Sequence, residues 1–83
     1  MGIDGYTLEG QPVSIKQADN VDRNVIENFA AAMGRRQAKD GMIVAFSFGT
    51  DAIRGRVRAK MNYGFEIQMV TVRELIDSRN RSI

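Results

Sequence analysis

The chain has 83 residues, of which 43% are hydrophobic and 27% are charged, and its formal net charge is +2. This length sustains one small domain, and the lack of cysteine and histidine excludes disulfides, thiolate metal sites and the usual neutral-pH base. Any catalysis must use carboxylates, lysine, serine or a hard cation. The longest apolar run, 42–46, is too short to cross a bilayer, and no signal-peptide pattern is present, so we expect a cytoplasmic protein without a membrane partner.

The first predicted element is a hairpin. Gly10 and the single proline, Pro12, interrupt an extended stretch near the N-terminus. This pattern predicts strands over residues 3–8 and 13–17, joined by a turn at 9–11.

A helix is predicted after the hairpin. From Asn20 to about Arg36 the apolar residues recur at helical spacing, and Asp19 or Asn20 is placed to serve as the N-cap. The predicted apolar stripe consists of Val21, Val25, Ile26, Phe29, Ala30, Ala32 and Met33. The continuous apolar run over 42–46 then predicts a parallel strand at the centre of the sheet, buried on both faces.

Residues 53–61 fit two descriptions. Basic residues alternate with apolar or small ones, as in a half-buried strand, whereas Ile53, Val57 and Met61 recur at every fourth position, as in a helix. We favour a helix that ends at Gly64, because a helix continues the alternation of strands and helices along the chain.

The C-terminal stretch predicts one more strand and one more helix. Residues 65–70 read as a strand with apolar residues on one face, and Thr71 and Glu74 fit a capping box that opens a short helix. The polar tail over 78–83 is expected to fray. The whole order predicts an α/β fold, a single domain over residues 1–83 with a mixed sheet and helices on both faces.

An acidic residue and a lysine are candidates for chemistry at the hairpin. Alternation along the second strand places Ser14 and Lys16 on one face and Ile15 and Gln17 on the other. If Asp4 pairs across from Ser14 or Lys16, a carboxylate for Mg²⁺ and an ammonium group for the attacking water lie together. The alternative is a solvated ion pair between Asp4 and Lys16 on an edge hairpin.

Three stretches, GIDGY, VSIKQADNVDRNVIENF and DGMIVAFSFG, resemble the restriction-endonuclease-like superfamily with the PD-(D/E)XK signature. More narrowly, they resemble the Mrr-type domain found as a C-terminal extension of some prokaryotic DNA methyltransferases. The resemblance extends from Gly2 to about Leu75. It implies a restriction-endonuclease-like sheet, DNA as the partner and a deoxyribonuclease that uses Mg²⁺ or Mn²⁺.

The resemblance also implies roles for individual residues. Asp4 matches the metal-binding aspartate, Ile15 the position whose backbone carbonyl is a metal ligand, and Lys16 the catalytic lysine. Where the signature has Glu or Gln, this chain has Ser14, whose hydroxyl is a poorer ligand for a hard cation. We expect weakened metal affinity, and the alternative is a catalytically inactive relic or interaction module that retains the nuclease fold.

The resemblance bears on partners as well. The helix and strand expected before the Asp-bearing strand are not in these 83 residues, which predicts a truncated domain with exposed apolar surface and motivates a homodimer. The resemblance also makes a DNA methyltransferase a candidate protein partner. The nucleic-acid-binding candidates are Gln17, Arg23 and Asn24, of which the last two open the first helix and can meet a phosphate there. Their alternative role is a solvated helix face.

Two further groups favour structural roles. Arg35 and Arg36 lie at the predicted C-terminal end of the first helix, where cations interact favourably with the helix dipole. Residues 47–50 follow a buried strand and precede a helix, as anion sites in α/β proteins do. Because they lack glycine-rich phosphate-loop spacing, we interpret them as a plain capped turn.

Overall fold

The computed structural model of the chain describes residues 3–81, with side-chain environments described for residues 3–78. The elements of this range are β1 (Gly5–Tyr6), β2 (Pro12–Lys16), α1 (Arg23–Arg35), β3 (Asp40–Ala45), α2 (Thr50–Tyr63), β4 (Glu66–Thr71) and α3 (Val72–Arg81). The strands form one mixed sheet in the order β1-β2-β3-β4, with β1 antiparallel to β2 and the other neighbours parallel. The predicted α/β class and the central position of β3 are confirmed. No helix in the described range is long and apolar enough to span a bilayer.

The predicted hairpin is present, with shorter strands than expected. In its turn the N–H of Thr7 donates to the carbonyl of Gln11 at 2.8 Å, and the N–H of Gly10 donates to the carbonyl of Thr7 at 2.9 Å. Gly10 has a φ of 87°, a left-handed conformation that glycine adopts without a steric cost. The turn therefore depends on the glycine that predicted it.

α1 and α2 lie side by side on one face of the sheet. Ile43 of β3 shares a core with Ile26 and Phe29 of α1 and with Ala52 and Ala59 of α2. This arrangement is expected, because two right-handed crossovers that advance in the same direction along a parallel sheet place their helices on the same side.

The opposite face of the sheet is only partly covered. Val44 is buried, but Ile15 and Phe46 are 56% and 53% exposed, and α3 packs mainly against β4. α1 and α2 share one face because both crossovers advance from β2 towards β4. The expected exposed apolar surface includes Ile15 and Phe46.

α2 packs through small residues. Its buried positions are Ala52, Gly55 and Ala59. A Cβ atom on Gly55 would lie 3.0 Å from Cγ of Arg23 and 3.1 Å from Cβ of Ile26, so the two helices approach closely there. The large residues whose spacing indicated this helix point outward, and Ile53 and Met61 are 52% and 79% exposed. The helix is confirmed, but its contact face is made by the small residues.

α1 begins later than predicted. Its N-cap is Asp22, whose side chain accepts a hydrogen bond from the N–H of Val25 at 3.3 Å. Asn20 has a positive φ of 52°, and Val21 forms a bridge with the loop after β3. The predicted N-cap at Asp19 or Asn20 is wrong, because both residues belong to a loop that is bound to the next crossover.

The last two helix boundaries follow the predicted signals. Gly64 ends α2 with a φ of 73°. At the start of α3, the N–H of Glu74 donates to Oγ1 of Thr71 at 3.1 Å, and Oε1 of Glu74 accepts from the N–H of Thr71 at 2.9 Å. The backbone bond, followed by the side-chain bond, lowers the pKa of the Glu74 carboxyl below its ordinary value. α3 continues to Arg81, into the tail expected to fray, whose last two residues lie outside the described range.

Candidate active site at the β2 edge

Asp4 lies at the edge of the hairpin, and its carboxylate binds the backbone of β2. Its Oδ2 accepts a hydrogen bond from the N–H of Ile15 at 2.8 Å, and its own N–H donates to the carbonyl of Val13 at 2.7 Å. Because the N–H and C=O of one strand residue face the same neighbour, the Ile15 carbonyl also faces the Asp4 edge. This edge therefore carries both oxygen groups that the resemblance assigns to a metal.

Ser14 and Lys16 face the other way, towards α1. With residues of α1 they line a cavity of about 210 Å³, which we call the β2–α1 cavity. Its lining residues are Ser14, Lys16, Val25, Asn28, Phe29, Ala31 and Arg35. Lys16 is half-buried, whereas Asn28 and Arg35 are exposed. The predicted alternation along β2 is confirmed, and it turns Ser14 and Lys16 towards a defined space.

Asp4 and Lys16 occupy different sides of β2. The carboxylate of Asp4 reaches the backbone at the sheet edge, whereas Lys16 lines the β2–α1 cavity. Within residues 3–81 no ion pair joins them, so the cross-strand ion pair considered from the sequence is not formed. A lysine ammonium group sits on a flexible four-carbon stem, and an arrangement in which both groups serve one ion and its water requires movement of that stem.

The oxygen atoms at the Asp4 edge suit a hard cation with few protein ligands. Mg²⁺ is usually held by one or two carboxylates, keeps several waters and binds substrate phosphates. Asp4 offers one carboxylate and Ile15 one carbonyl, which fits this pattern. Over the described part of the chain, no three His, Cys, Asp or Glu side chains form a group that could hold a metal. One carboxylate and one carbonyl are fewer ligands than an all-protein metal cage provides.

The candidate nucleic-acid contacts lie on the surface beyond β2. Gln17, Arg23 and Asn24 are all exposed. Nε of Arg23 lies 3.4 Å from Oε2 of Glu27, and the same oxygen lies 3.8 Å from Nη1 of Arg58. One carboxylate thus sits between two arginines, in exposed pairs of modest strength. The positive charge beside Asn24 is reduced but not cancelled.

The loops that follow β2 and β3 are hydrogen-bonded to each other. Oγ of Ser47 accepts from the N–H of Asn20 at 2.8 Å and donates to Oδ1 of Asp19 at 3.3 Å. Backbone bonds run from the N–H of Val21 to the Ser47 carbonyl at 3.1 Å and from the N–H of Gly49 to the Val21 carbonyl at 2.9 Å. The chain beyond Lys16 is therefore fixed against the start of α2, and the Ser47 hydroxyl has a structural role.

Two cavity residues were not part of the predicted site. Asn28 was not singled out from the sequence, and Arg35 was interpreted as a cation favoured by the helix C-terminus. Val25, Asn28 and Arg35 follow helical spacing, so they form a stripe beside the buried face of α1. The sequence signal that could have identified these two residues was a polar side chain and a cation on the helical stripe beside the buried face of α1.

Comparisons with known proteins add no assignment. No protein-family model matches the chain, and no curated protein or solved structure matches it significantly. The class that the fold itself defines is a mixed α/β domain with four strands and three helices within residues 3–81. The resemblance to restriction-endonuclease-like proteins rests on the sequence motifs.

Proposed function

We propose that this chain is a DNA-binding, metal-dependent endonuclease-like domain that hydrolyses phosphodiesters and is linked to restriction-modification. The observation that supports the proposal is the hydrogen bond between the Asp4 carboxylate and the Ile15 backbone, directly before Lys16 in β2. It brings the carboxylate that matches the metal-binding aspartate to the backbone of Ile15. The Lys16 side chain faces the β2–α1 cavity and would have to move to act at the same ion. A restriction-endonuclease-like arrangement of the sheet is part of the same proposal.

In the proposed mechanism, the Asp4 carboxylate and the Ile15 carbonyl hold Mg²⁺ or Mn²⁺, which when bound supplies Lewis-acid stabilisation at the phosphate. The Lys16 ammonium group orients the attacking water and offsets the negative charge that develops on the phosphate oxygens. The proposed DNA backbone contacts are Gln17, Arg23 and Asn24. Such contacts position a duplex without reading its sequence.

A catalytically inactive module that retains the fold is the second candidate, and Ser14 favours it. The hydroxyl of Ser14 is buried in the β2–α1 cavity and does not face the Asp4 edge. The Asp4 edge therefore has one side-chain ligand, the Asp4 carboxylate, whereas the signature provides two. The hydrogen bond from Ile15 to Asp4 also holds β1 against β2 in the absence of any metal. In this candidate, DNA binding or a protein contact is the retained function.

Plasmid nicking with Mg²⁺ or Mn²⁺ separates the two candidates. Asp4→Asn keeps an oxygen that accepts from the Ile15 N–H but removes the charge, so it distinguishes a metal ligand from a structural acceptor. We expect Asp4→Asn and Lys16→Met to lose nicking by at least about 100-fold. Asp51→Asn, an exposed acid in the first turn of α2, is the control and should nick like the parent protein.

Absence of nicking would favour the inactive module. If neither the parent protein nor a folded Ser14→Glu variant nicks DNA, the inactive module is the better description. DNA affinity should then be measured against salt concentration. Binding through phosphate contacts weakens steeply as salt rises, whereas a flat response would indicate that the retained partner is a protein.

A second copy of the chain and a DNA methyltransferase are the other proposed partners. A second copy of the chain would cover the sheet face that exposes Ile15 and Phe46, since burial of such residues is favourable. Sedimentation at micromolar concentration should show a dimer, and a compact monomer would contradict this. A DNA methyltransferase partner follows from the resemblance, whereas the proposal of a cytoplasmic location follows from the short apolar runs of the sequence.

A further inference from the structure

We infer that the β2–α1 cavity binds a phosphate group through Ser14, Lys16, Asn28 and Arg35. Asn28 and Arg35 lie on α1 and do not belong to the matched signature. The assignment of that phosphate to a DNA backbone rests on the proposed function, whereas oxyanion binding itself does not require hydrolysis or a metal.

The Ser14 hydroxyl is the first observation. Ser14 is 0% exposed, and its Oγ has no hydrogen-bond partner within the described residues. Buried polar side chains are nearly always paired, and an unpaired one costs free energy. Ser14 is among the cavity residues but has no accessible surface, so a lining side chain must move before a group in the cavity can bond to its Oγ.

The charge of the cavity is the second observation. Lys16 and Arg35 both line it, and no acidic residue does. Within residues 3–81 neither of them makes an ion pair. Like charges beside an apolar surface such as Phe29 and Val25 repel each other, and their attraction for an anion is stronger there than in open water. The cavity therefore favours an anion.

The size of the cavity limits which anion fits. One water needs only about 10–15 Å³, and pockets for drug-sized ligands begin near about 300 Å³. A volume of about 210 Å³ lies between these limits and suits a phosphate-sized group without its base. The hydroxyl of Ser14 and the amide of Asn28 are neutral donors, while Lys16 and Arg35 form charge-assisted bonds. Such a mixed set of donors matches a phosphate with several acceptor oxygens.

Titration of the isotope-labelled chain with inorganic phosphate, followed by NMR in EDTA at constant ionic strength, tests this site. The critical variant is Arg35→Gln, and Arg36→Gln is its control because Arg36 is adjacent, exposed and outside the cavity lining. We expect Arg35→Gln to raise Kd at least about tenfold, the effect of one lost charge-assisted bond, and Arg36→Gln to change it less than about twofold. Ser14→Ala should also weaken binding, although it keeps the fold.

A second arm uses a short DNA duplex and identifies the source of the phosphate. A larger loss of duplex affinity in Arg35→Gln than in Arg36→Gln assigns the cavity to the DNA backbone, and a loss confined to inorganic phosphate assigns it to free phosphate. Equal effects of the two variants in both arms, or shifts that do not saturate, would overturn the site. Phosphate binding that persists without nicking contradicts hydrolysis alone, whereas nicking with no phosphate response contradicts the cavity alone.

Discussion

α1 and α2 lie on the same side of the sheet, yet only α1 buries large apolar side chains. α1 buries Ile26, Phe29, Ala30, Ala32 and Met33. α2 buries only Ala52, Gly55 and Ala59. The large side chains of α1 fill the core, whereas the small residues of α2 allow the two helices to pack closely. Apolar spacing therefore identifies the buried face of α1, while in α2 it identifies a face that stays in solvent.

The two helices also differ in what borders them. α1 has a filled core on one side and the open β2–α1 cavity on the other. α2 packs against α1 and β4 and carries an exposed apolar stripe. A binding group is held more precisely when its helix is fixed by packing, so α1 is the better platform for a site.

The largest expected effect comes from removing volume on α1. Ile26→Ala should lower the free energy of unfolding by about 2–5 kcal/mol, because Ile26 is fully buried and its loss leaves a cavity. Ile53→Ala in α2 is the matched control and should change it by less than about 1 kcal/mol, since this side chain is half-exposed. Urea unfolding measures both. Similar losses of unfolding free energy in the two variants would contradict the difference in side-chain burial between α1 and α2.

Substitution of one glycine in each helix tests how closely α1 and α2 pack. Gly34→Ala in α1 should raise the free energy of unfolding by about 0.5–1 kcal/mol, because alanine is the better helix former and its Cβ meets only Cζ of Phe65, at 3.9 Å. Gly55→Ala in α2 should lower it by about 1 kcal/mol, because its Cβ is crowded by α1. Thermal or urea unfolding distinguishes the signs. A gain in both variants would show that the helices have room to separate.

Alanine substitutions of two serines test whether the Ser14 hydroxyl in the β2–α1 cavity lacks a hydrogen-bond partner. Ser14→Ala should raise the free energy of unfolding by about 1 kcal/mol in phosphate-free buffer, because it removes an unpaired buried hydroxyl. Ser47→Ala should lower it by about 1 kcal/mol, because that hydroxyl makes two hydrogen bonds. Loss of stability in Ser14→Ala would mean that the hydroxyl is already satisfied.

The smallest effect concerns α3, which is fixed by its cap. The pKa of Glu74 is lower in the folded chain than its ordinary value of 4.5, because its carboxylate accepts hydrogen bonds at Thr71. The cap therefore contributes stability above pH 4.5, and this contribution is lost as the pH falls through the lowered pKa. Protection factors of the α3 amides, which correct for the intrinsic slowing of exchange at low pH, should fall on acidification, and Glu74→Gln should reduce that dependence. Glu9→Gln, at an exposed residue of the hairpin turn, should leave it intact.

Much of the fold was predictable because local signals and tertiary structure agree. The hairpin turn at Gly10, the capping box at Thr71 and Glu74, and the C-cap at Gly64 each depend on a few neighbouring residues. The central parallel strand was evident from its continuous apolar run, although Phe46, the last residue of that run, lies beyond β3 and is 53% exposed. The turn and the two caps follow from backbone and capping chemistry, and the central strand follows from apolar burial.

Other features depend on contacts between distant segments. The start of α1 moved to Asp22 because the residues before it bind the loop after β3. The buried face of α2 is set by the distance to α1, which no periodicity within α2 encodes. For the candidate site, alternation along β2 correctly placed Ser14 and Lys16 together, but the cavity is completed by Arg35, nearly twenty residues away in sequence.

The hydrogen bonds of Ser47 join the loops that follow two neighbouring strands of the sheet. The segment that leads from β2 into α1 and the segment that leads from β3 into α2 share this one hydroxyl. The two crossover loops therefore form one hydrogen-bonded unit, and removal of the Ser47 hydroxyl would loosen both of them at once.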